Sequence, residues 1–343
     1  MASSTPTPAA RAAPPKSAYF ENDVEFAVDD APETPRAMLE RRPEGVYTVG
    51  IARRARSERD DGDDARGAPD VARAFALEDE DGHYARLASA AARASASAAL
   101  RRVGGDPRWM DVQTCVVTIL THRERASETS ETETETETVD VLIQPRGTDG
   151  GGESNARERG VGVLIDLDAA RETSPRHPHE LKYSAWVRER VPFERRLAEW
   201  NAAHPNDACV EYVMTRKVKP EGSNEWEHEC LEGLTTNFAT SKMDEKRETL
   251  YAARDEVLEG LAMGLLKSCV DATDAGRGAY VSELLANAFA ATFLTNALKG
   301  CVAVDFVIVI DGETTRRVEF PKSLDRAKRI GAAIDQRRRD FAA

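Results

Sequence analysis

Alternating apolar and polar positions predict β-strands along most of the chain. The clearest is the run Gly45-Val46-Tyr47-Thr48-Val49, which is rich in β-branched residues. Val24-Glu25-Phe26-Ala27-Val28 shows the same alternation more briefly. We predict strands over residues 24–28, 45–54, 74–77, 112–120, 139–144, 161–167, 209–214, 230–231 and 303–310.

Apolar residues at helical spacing predict helices between these strands. The helices cover residues 83–100, 184–200, 256–270, 281–290 and 324–338. Pro192 lies inside the second of them and is expected to kink or split it, because proline lacks a backbone N–H. Strands interleave with helices but also form many hairpins, which predicts an α/β (α+β) fold with mixed sheets. The sequence has no glycine-rich dinucleotide motif, P-loop or G-x-S-x-G.

The length of 343 residues predicts two domains, because single cores rarely grow past roughly 250–300 residues. The segment 171–179 contains two prolines and is the expected connector. We therefore predict a tail over 1–17, a small α/β domain over 18–168 and a large domain over 169–343. Charged or low-complexity inserts are expected over 57–69, 127–138 and 147–160.

Charge and composition narrow the function classes. The net charge of −13 argues against nucleic-acid binding, since phosphate contacts need basic surface. No apolar run approaches the ~18 residues of a membrane span. The five cysteines include no CxxC pair, which favours a reducing compartment, and we predict no metal site. We expect a cytoplasmic protein, with a plastid or mitochondrial presequence in the tail as the alternative.

Two segments carry a candidate chemistry. Lys182 follows the connector in Leu181-Lys182-Tyr183-Ser184, and Glu232 begins the run Glu232-Gly233-Leu234-Thr235-Thr236-Asn237-Phe238. A deprotonated lysine is a nucleophile, and a buried carboxylate stabilises a buried cation. Taken alone, Lys182 is more typical of an exposed surface lysine, and Glu232 could be an exposed glutamate at a strand end.

Together these segments resemble the class IV (fold type IV) pyridoxal-phosphate enzymes, such as branched-chain and D-amino-acid aminotransferases and aminodeoxychorismate lyase. The resemblance implies that Lys182 forms the Schiff base with the cofactor and that Glu232 pairs with its pyridine nitrogen. It rests on an E-G-x-x-[ST]-N-x-F motif, in which Phe238 comes one place early. It also implies that Thr235, Thr236 and Asn237 belong to the cofactor site.

The same resemblance implies further site residues. His83, Arg86 and Leu87 are similar to an H-x-x-R-L pattern whose arginine binds the cofactor phosphate, and Tyr47 is similar to an aromatic that faces the substrate. Backbone amides at two turns complete the implied phosphate site: Gly260, Leu261 and Ala262 in one turn, Asn296 and Ala297 in the other.

The resemblance implies a homodimeric aminotransferase that acts on an amino acid and a 2-oxo acid. Aminodeoxychorismate lyase is the alternative reaction, because the run Asn296-Ala297-Leu298 is similar to that enzyme. A non-catalytic protein with the same fold is the other alternative, since Ala262 and Ala297 replace hydroxyl residues common at the phosphate turns. The interval from Lys182 to Glu232 is also longer than usual.

Overall fold

The computed structural model describes residues 16–22, 24–25, 32, 34–54, 75–78, 83, 85, 87, 89–125, 135–146, 160–169, 182–244, 247–255 and 257–341. Five cysteines lie in this part of the chain, and all are free thiols. No helix within these ranges is both long and apolar enough to cross a membrane.

The first half of the chain forms a six-stranded antiparallel sheet. Its spatial order is β2-β1-β6-β5-β3-β4. The strands are β1 (Ala18–Glu21), β2 (Val24–Glu25), β3 (Gly45–Arg54), β4 (Phe75–Leu77), β5 (Thr114–Arg125) and β6 (Glu135–Pro145). One helix, α2 (Ala90–Gly105), covers a face of this sheet and buries Ala96, Leu100 and Val103 against it.

The second half forms a nine-stranded mixed sheet. Its strands are β7 (Val161–Asp166), β8 (Cys209–Val218), β9 (Glu227–Gly233), β10 (Asn237–Met243), β11 (Glu248–Tyr251), β12 (Ala272–Asp274), β13 (Ala291–Asn296), β14 (Gly300–Asp311) and β15 (Thr314–Glu319). Six of them run in the order β10-β13-β14-β7-β8-β9, and β9 pairs back to β10. This last pairing joins Glu232 to Asn237 and closes a small barrel.

Six further helices are named here from the described residues. They are α1 (Pro35–Arg41), α3 (Trp186–Glu189), α4 (Val191–Ala203), α5 (Leu261–Cys269), α6 (Val281–Leu285) and α7 (Ser323–Phe341). Pro192 opens α4, so the expected split of the helix at 184–200 is present, because proline is tolerated in a first helical turn.

Several predicted element limits are wrong for identifiable reasons. The helix predicted over 83–100 is interrupted: residues 83, 85 and 87 are helical, but another helix begins after Ser89, whose hydroxyl accepts from the Ala92 amide, and continues to Gly105. The helix predicted over 256–270 begins only at Leu261, because Gly260 is extended. The helix predicted over 281–290 ends at Leu285, since Asn287 takes a left-handed φ of 54°.

The strand β7 precedes the predicted domain boundary at 168, yet it pairs in the second sheet. It lies parallel to both β14 and β8, which are distant in sequence. Parallel pairing needs a long crossover, so local sequence gives no sign of it. Where it is described, the Glu/Thr repeat forms part of a hairpin, because residues 135–138 extend β6 opposite β5.

The two sheets meet through an apolar cluster and short backbone contacts. Leu39, Tyr47 and Leu120 from the first half pack with Val187 of α3. Next to this cluster, β3 forms a β-bridge between Val46 and Tyr183.

Candidate active site

A cavity of about 350 Å³ lies where the two sheets meet and is lined by residues from both. Most of the residues that the sequence analysis singles out line it: Tyr47, Lys182, Glu232, Thr235, Thr236, Asn237, Gly260, Leu261, Asn296 and Ala297. Ala262 is fully buried in the first turn of α5 and does not line the cavity. Arg86 lies outside the described residues; His83, three positions earlier in the sequence, lines the cavity.

The backbone of Lys182 is fixed against strand β3. The Tyr47 amide donates to the Lys182 carbonyl at 2.8 Å, and the Ser184 amide donates to the Gly45 carbonyl at 2.9 Å. The Gly45 amide in turn donates to Ser184 Oγ at 3.1 Å. Lys182 Nζ lies 5.8 Å from the centre of the Tyr47 ring. These bonds hold the lysine at the junction of the two sheets, with its amine beside an aromatic wall.

Glu232 lies at the point where the barrel closes. Its side chain is buried, and Asn237 Nδ2 donates to Glu232 Oε2 at 3.5 Å and to the Leu258 carbonyl at 2.5 Å. Asn237 Oδ1 accepts from the Gly260 amide at 3.0 Å. Asn237 therefore connects the buried carboxylate to the loop that precedes α5.

The turn between Glu232 and Asn237 is organised by Glu211, a residue that the sequence analysis did not select. Glu211 is 4% exposed. It accepts from the Leu234 amide at 3.0 Å and from the hydroxyls of Thr235 and Thr236 at 2.8 and 3.0 Å. Both threonine protons are therefore engaged by a protein carboxylate. The signal in the sequence is a glutamate at an inward position of a predicted strand.

Two backbone turns face the cavity. Gly260 is the N-cap of α5 and, with Leu261, lines the cavity wall. The first amides of a helix have no partner within it, and the helix dipole adds positive potential there. The second turn joins β13 to β14, where Asn296 Oδ1 accepts from the amides of Leu298 and Lys299 at 3.1 and 2.6 Å.

Other residues that line the cavity have polar side chains. The indole of Trp186 donates to the Leu234 carbonyl at 3.0 Å, which connects α3 to the Glu211 turn. His83 is buried, and its Nδ1 lies 2.6 Å from Thr48 Oγ1. Arg36 and Arg190 also line the cavity. Hydrogen bonds to Glu194 and Glu40 raise the pKa of Arg36 above its ordinary value.

The comparison with solved structures identifies the fold. No protein-family model matches the sequence, and no curated protein matches it significantly. The structure is similar to the branched-chain amino acid aminotransferase of Escherichia coli, with a TM-score of 0.60, 12% identity and 94% of each chain covered.

Two other solved structures give the same result. One is a hypothetical aminotransferase from Mycobacterium tuberculosis in its PLP-bound form, with a TM-score of 0.58 and 14% identity, covering 93% of this chain and 97% of that one. The other is the branched-chain aminotransferase of Thermobaculum terrenum in its PLP form, with a TM-score of 0.58 and 10% identity, covering 96% and 94%. The predicted fold is therefore confirmed: the chain has the fold type IV architecture of these aminotransferases.

Proposed function

We propose that the protein is a pyridoxal-phosphate-dependent aminotransferase that moves an amino group between an amino acid and a 2-oxo acid. The observation that carries this proposal is the convergence of Lys182, Glu232 and the N-terminus of α5 on one cavity. These three features come from separate segments of the chain. The similarity in fold to PLP-bound aminotransferases supports the same reading.

The residues present fit this cofactor. A helix N-terminus is a favourable site for a phosphate group, because free amides and the helix dipole both favour an anion. Glycine is required at this N-terminus, since a Cβ added to Gly260 would collide with Asn237 Oδ1. Glu232 is buried within the same cavity wall and can pair with a protonated ring nitrogen. Leu234, Leu258 and Leu261 supply apolar surface for a ring.

When bound, the cofactor supplies an electron sink for the pair of electrons left on the substrate Cα. Lys182 would hold it covalently and, as a free amine, would carry the proton at Cα. Glu232 would keep the ring nitrogen protonated, and Asn237 would hold Glu232 in place. The amides of Leu261, Asn296 and Ala297, which line the cavity, would bind the phosphate, together with Arg86. Tyr47 would face the substrate.

Amino transfer is tested with purified protein loaded with pyridoxal phosphate. We expect an amino acid and a 2-oxo acid to exchange their amino group, and we expect Lys182→Ala to abolish this exchange. Release of pyruvate and 4-aminobenzoate from aminodeoxychorismate without any acceptor would instead establish the lyase. If the wild-type protein binds no pyridoxal phosphate even when the cofactor is supplied in excess, the non-catalytic alternative would remain.

A homodimer is part of the same proposal. Its support is the resemblance to class IV pyridoxal-phosphate enzymes, which implies a homodimer. Light scattering of the purified protein gives the mass directly, and twice the chain mass of 37.6 kDa is expected.

A further inference from the structure

Two arginines and a glutamate form a cluster at the wall of the cavity near Lys182. Arg36 belongs to α1, and Arg190 lies between α3 and α4; both line the cavity. Glu194 joins them, because its Oε1 accepts from Arg190 Nε and its Oε2 from Arg36 Nη1, each at 2.8 Å. One carboxylate thus fixes two guanidinium groups that come from opposite halves of the chain.

The two arginines differ in how many of their donors are used. Arg36 also donates to Glu40 at 2.8 Å, so two carboxylates neutralise it, and its side chain is 43% exposed. The Arg190 side chain is only 13% exposed. Within the described part of the chain, its recorded hydrogen bond is the one from Nε to Glu194. The two terminal amino groups of Arg190 therefore remain available, on a side chain that is largely buried at the cavity wall.

The charges along the cavity wall favour an anion beside Arg190. Arg36, Lys182 and Arg190 are the cations among the described lining residues, and Glu232 is the carboxylate. A bound cofactor would engage Lys182 and Glu232, which leaves the two arginines. An arginine whose position is fixed through Nε presents its terminal edge as a two-donor fork, and that fork matches a carboxylate.

We propose that Arg190, fixed by Glu194 and flanked by Arg36, binds a carboxylate of the substrate. This inference rests on the proposed function, since amino acids and 2-oxo acids all carry an α-carboxylate and some carry a second one. Arg190 is thereby a substrate-binding and specificity-determining residue. Arg36 contributes positive potential and holds Glu194 in place.

The test compares Arg190→Met, Arg190→Lys and the matched control Arg188→Met. Arg188 lies two residues away, is 46% exposed, pairs with Glu44 and does not line the cavity. We expect Arg190→Met to raise the KM for its 2-oxo acid by about ten- to a hundredfold, since hydrogen bonds to charged groups contribute about 1.5–3 kcal/mol. Arg190→Lys should retain part of the affinity because it keeps the charge but not the fork.

Two acceptors identify which carboxylate is bound. Equal losses with pyruvate and 2-oxoglutarate would place the α-carboxylate at Arg190. A loss confined to 2-oxoglutarate would place its distal carboxylate there. Unchanged KM values for both acceptors in Arg190→Met would overturn the inference. A matching loss of cofactor affinity, measured by absorption titration, would also overturn it, because Arg190 would then bind the cofactor phosphate.

A binding measurement separates this inference from the proposed function. Propionate and glutarate carry one and two carboxylates and have no amino or oxo group, so they cannot react. We expect calorimetry to show that wild type and Arg188→Met bind at least one of them and that Arg190→Met binds it ten- to a hundredfold more weakly. Equal binding by all three proteins, or none by wild type, would contradict the Arg190 site. Failure of cofactor loading alone would contradict only the proposed aminotransferase.

Discussion

Single side chains decide how the cavity wall is built. Lys182 and Glu232 stand out in the sequence because short motifs surround them, and the structure places both in one cavity. Glu211 does not stand out, because an isolated glutamate in a strand is usually solvent-exposed. Its role depends on the Leu234–Thr236 turn lying against β8, a contact that arises where β9 pairs antiparallel with β8.

Glu211→Gln should destabilise the protein and weaken cofactor binding. The substitution replaces one acceptor oxygen by an NH₂ group that faces the amide and hydroxyl donors of the turn. Leaving buried donors unsatisfied costs about 1–3 kcal/mol, which denaturant unfolding can measure. Glu221→Gln is the control, because Glu221 is exposed. Equal stability of the two variants would contradict the role given to Glu211.

Helices and turns are less predictable from sequence than strands here. Strand β3 was predicted with its observed limits, since the run is rich in β-branched residues and well bounded. The start of α5 was missed because residues 257–260 fit helical spacing but are not helical, with Asn237 bonding the Leu258 carbonyl and the Gly260 amide. A tertiary hydrogen bond thus overrides local propensity.

Gly260→Ala should lower cofactor affinity, whereas Gly264→Ala should not. An added Cβ at Gly260 would collide with Asn237 Oδ1, whereas Gly264, on the same helix, has open space around that position. We expect Gly260→Ala to lower cofactor affinity in an absorption titration. Gly264→Ala should leave this affinity unchanged and raise stability by roughly 0.5–1 kcal/mol. Similar cofactor affinities in the two variants would show that the α5 N-terminus does not hold the phosphate.

Glu283 in helix α6 should make the protein less stable as the pH falls below about 4.5. Burial raises the pKa of Glu283, but hydrogen bonds from Arg277 and Lys242 outweigh it and lower the pKa from 4.5 to about 2. A lowered pKa gives stability that is present above pH 4.5 and lost as the pH falls toward 2. Glu283→Gln should therefore lower Tm at pH 7 relative to wild type, with the difference closing near pH 2. A difference independent of pH would contradict this assignment.

The molecule as a whole brings together residues that no local pattern connects. The sequence predicts two domains, yet β7 joins the barrel from before the predicted boundary, because parallel pairing depends on the complete fold. The cavity likewise depends on contacts between the two halves, such as Gly45 with Ser184 and Arg36 with Glu194. Motif matching could find Lys182 and Glu232, but Arg190 became a candidate only once the cavity was known.

The most direct test is the visible absorption spectrum of the purified protein after incubation with pyridoxal phosphate and desalting. Wild type, Lys182→Ala and Lys322→Ala are compared, because Lys322 is an exposed lysine that does not line the cavity. A lysine bound covalently to the cofactor extends its conjugation and gives a visible band. We expect this band in wild type and Lys322→Ala and its loss in Lys182→Ala. A band that persists in Lys182→Ala, or is absent from wild type, would contradict the assignment of Lys182 as the lysine that holds the cofactor.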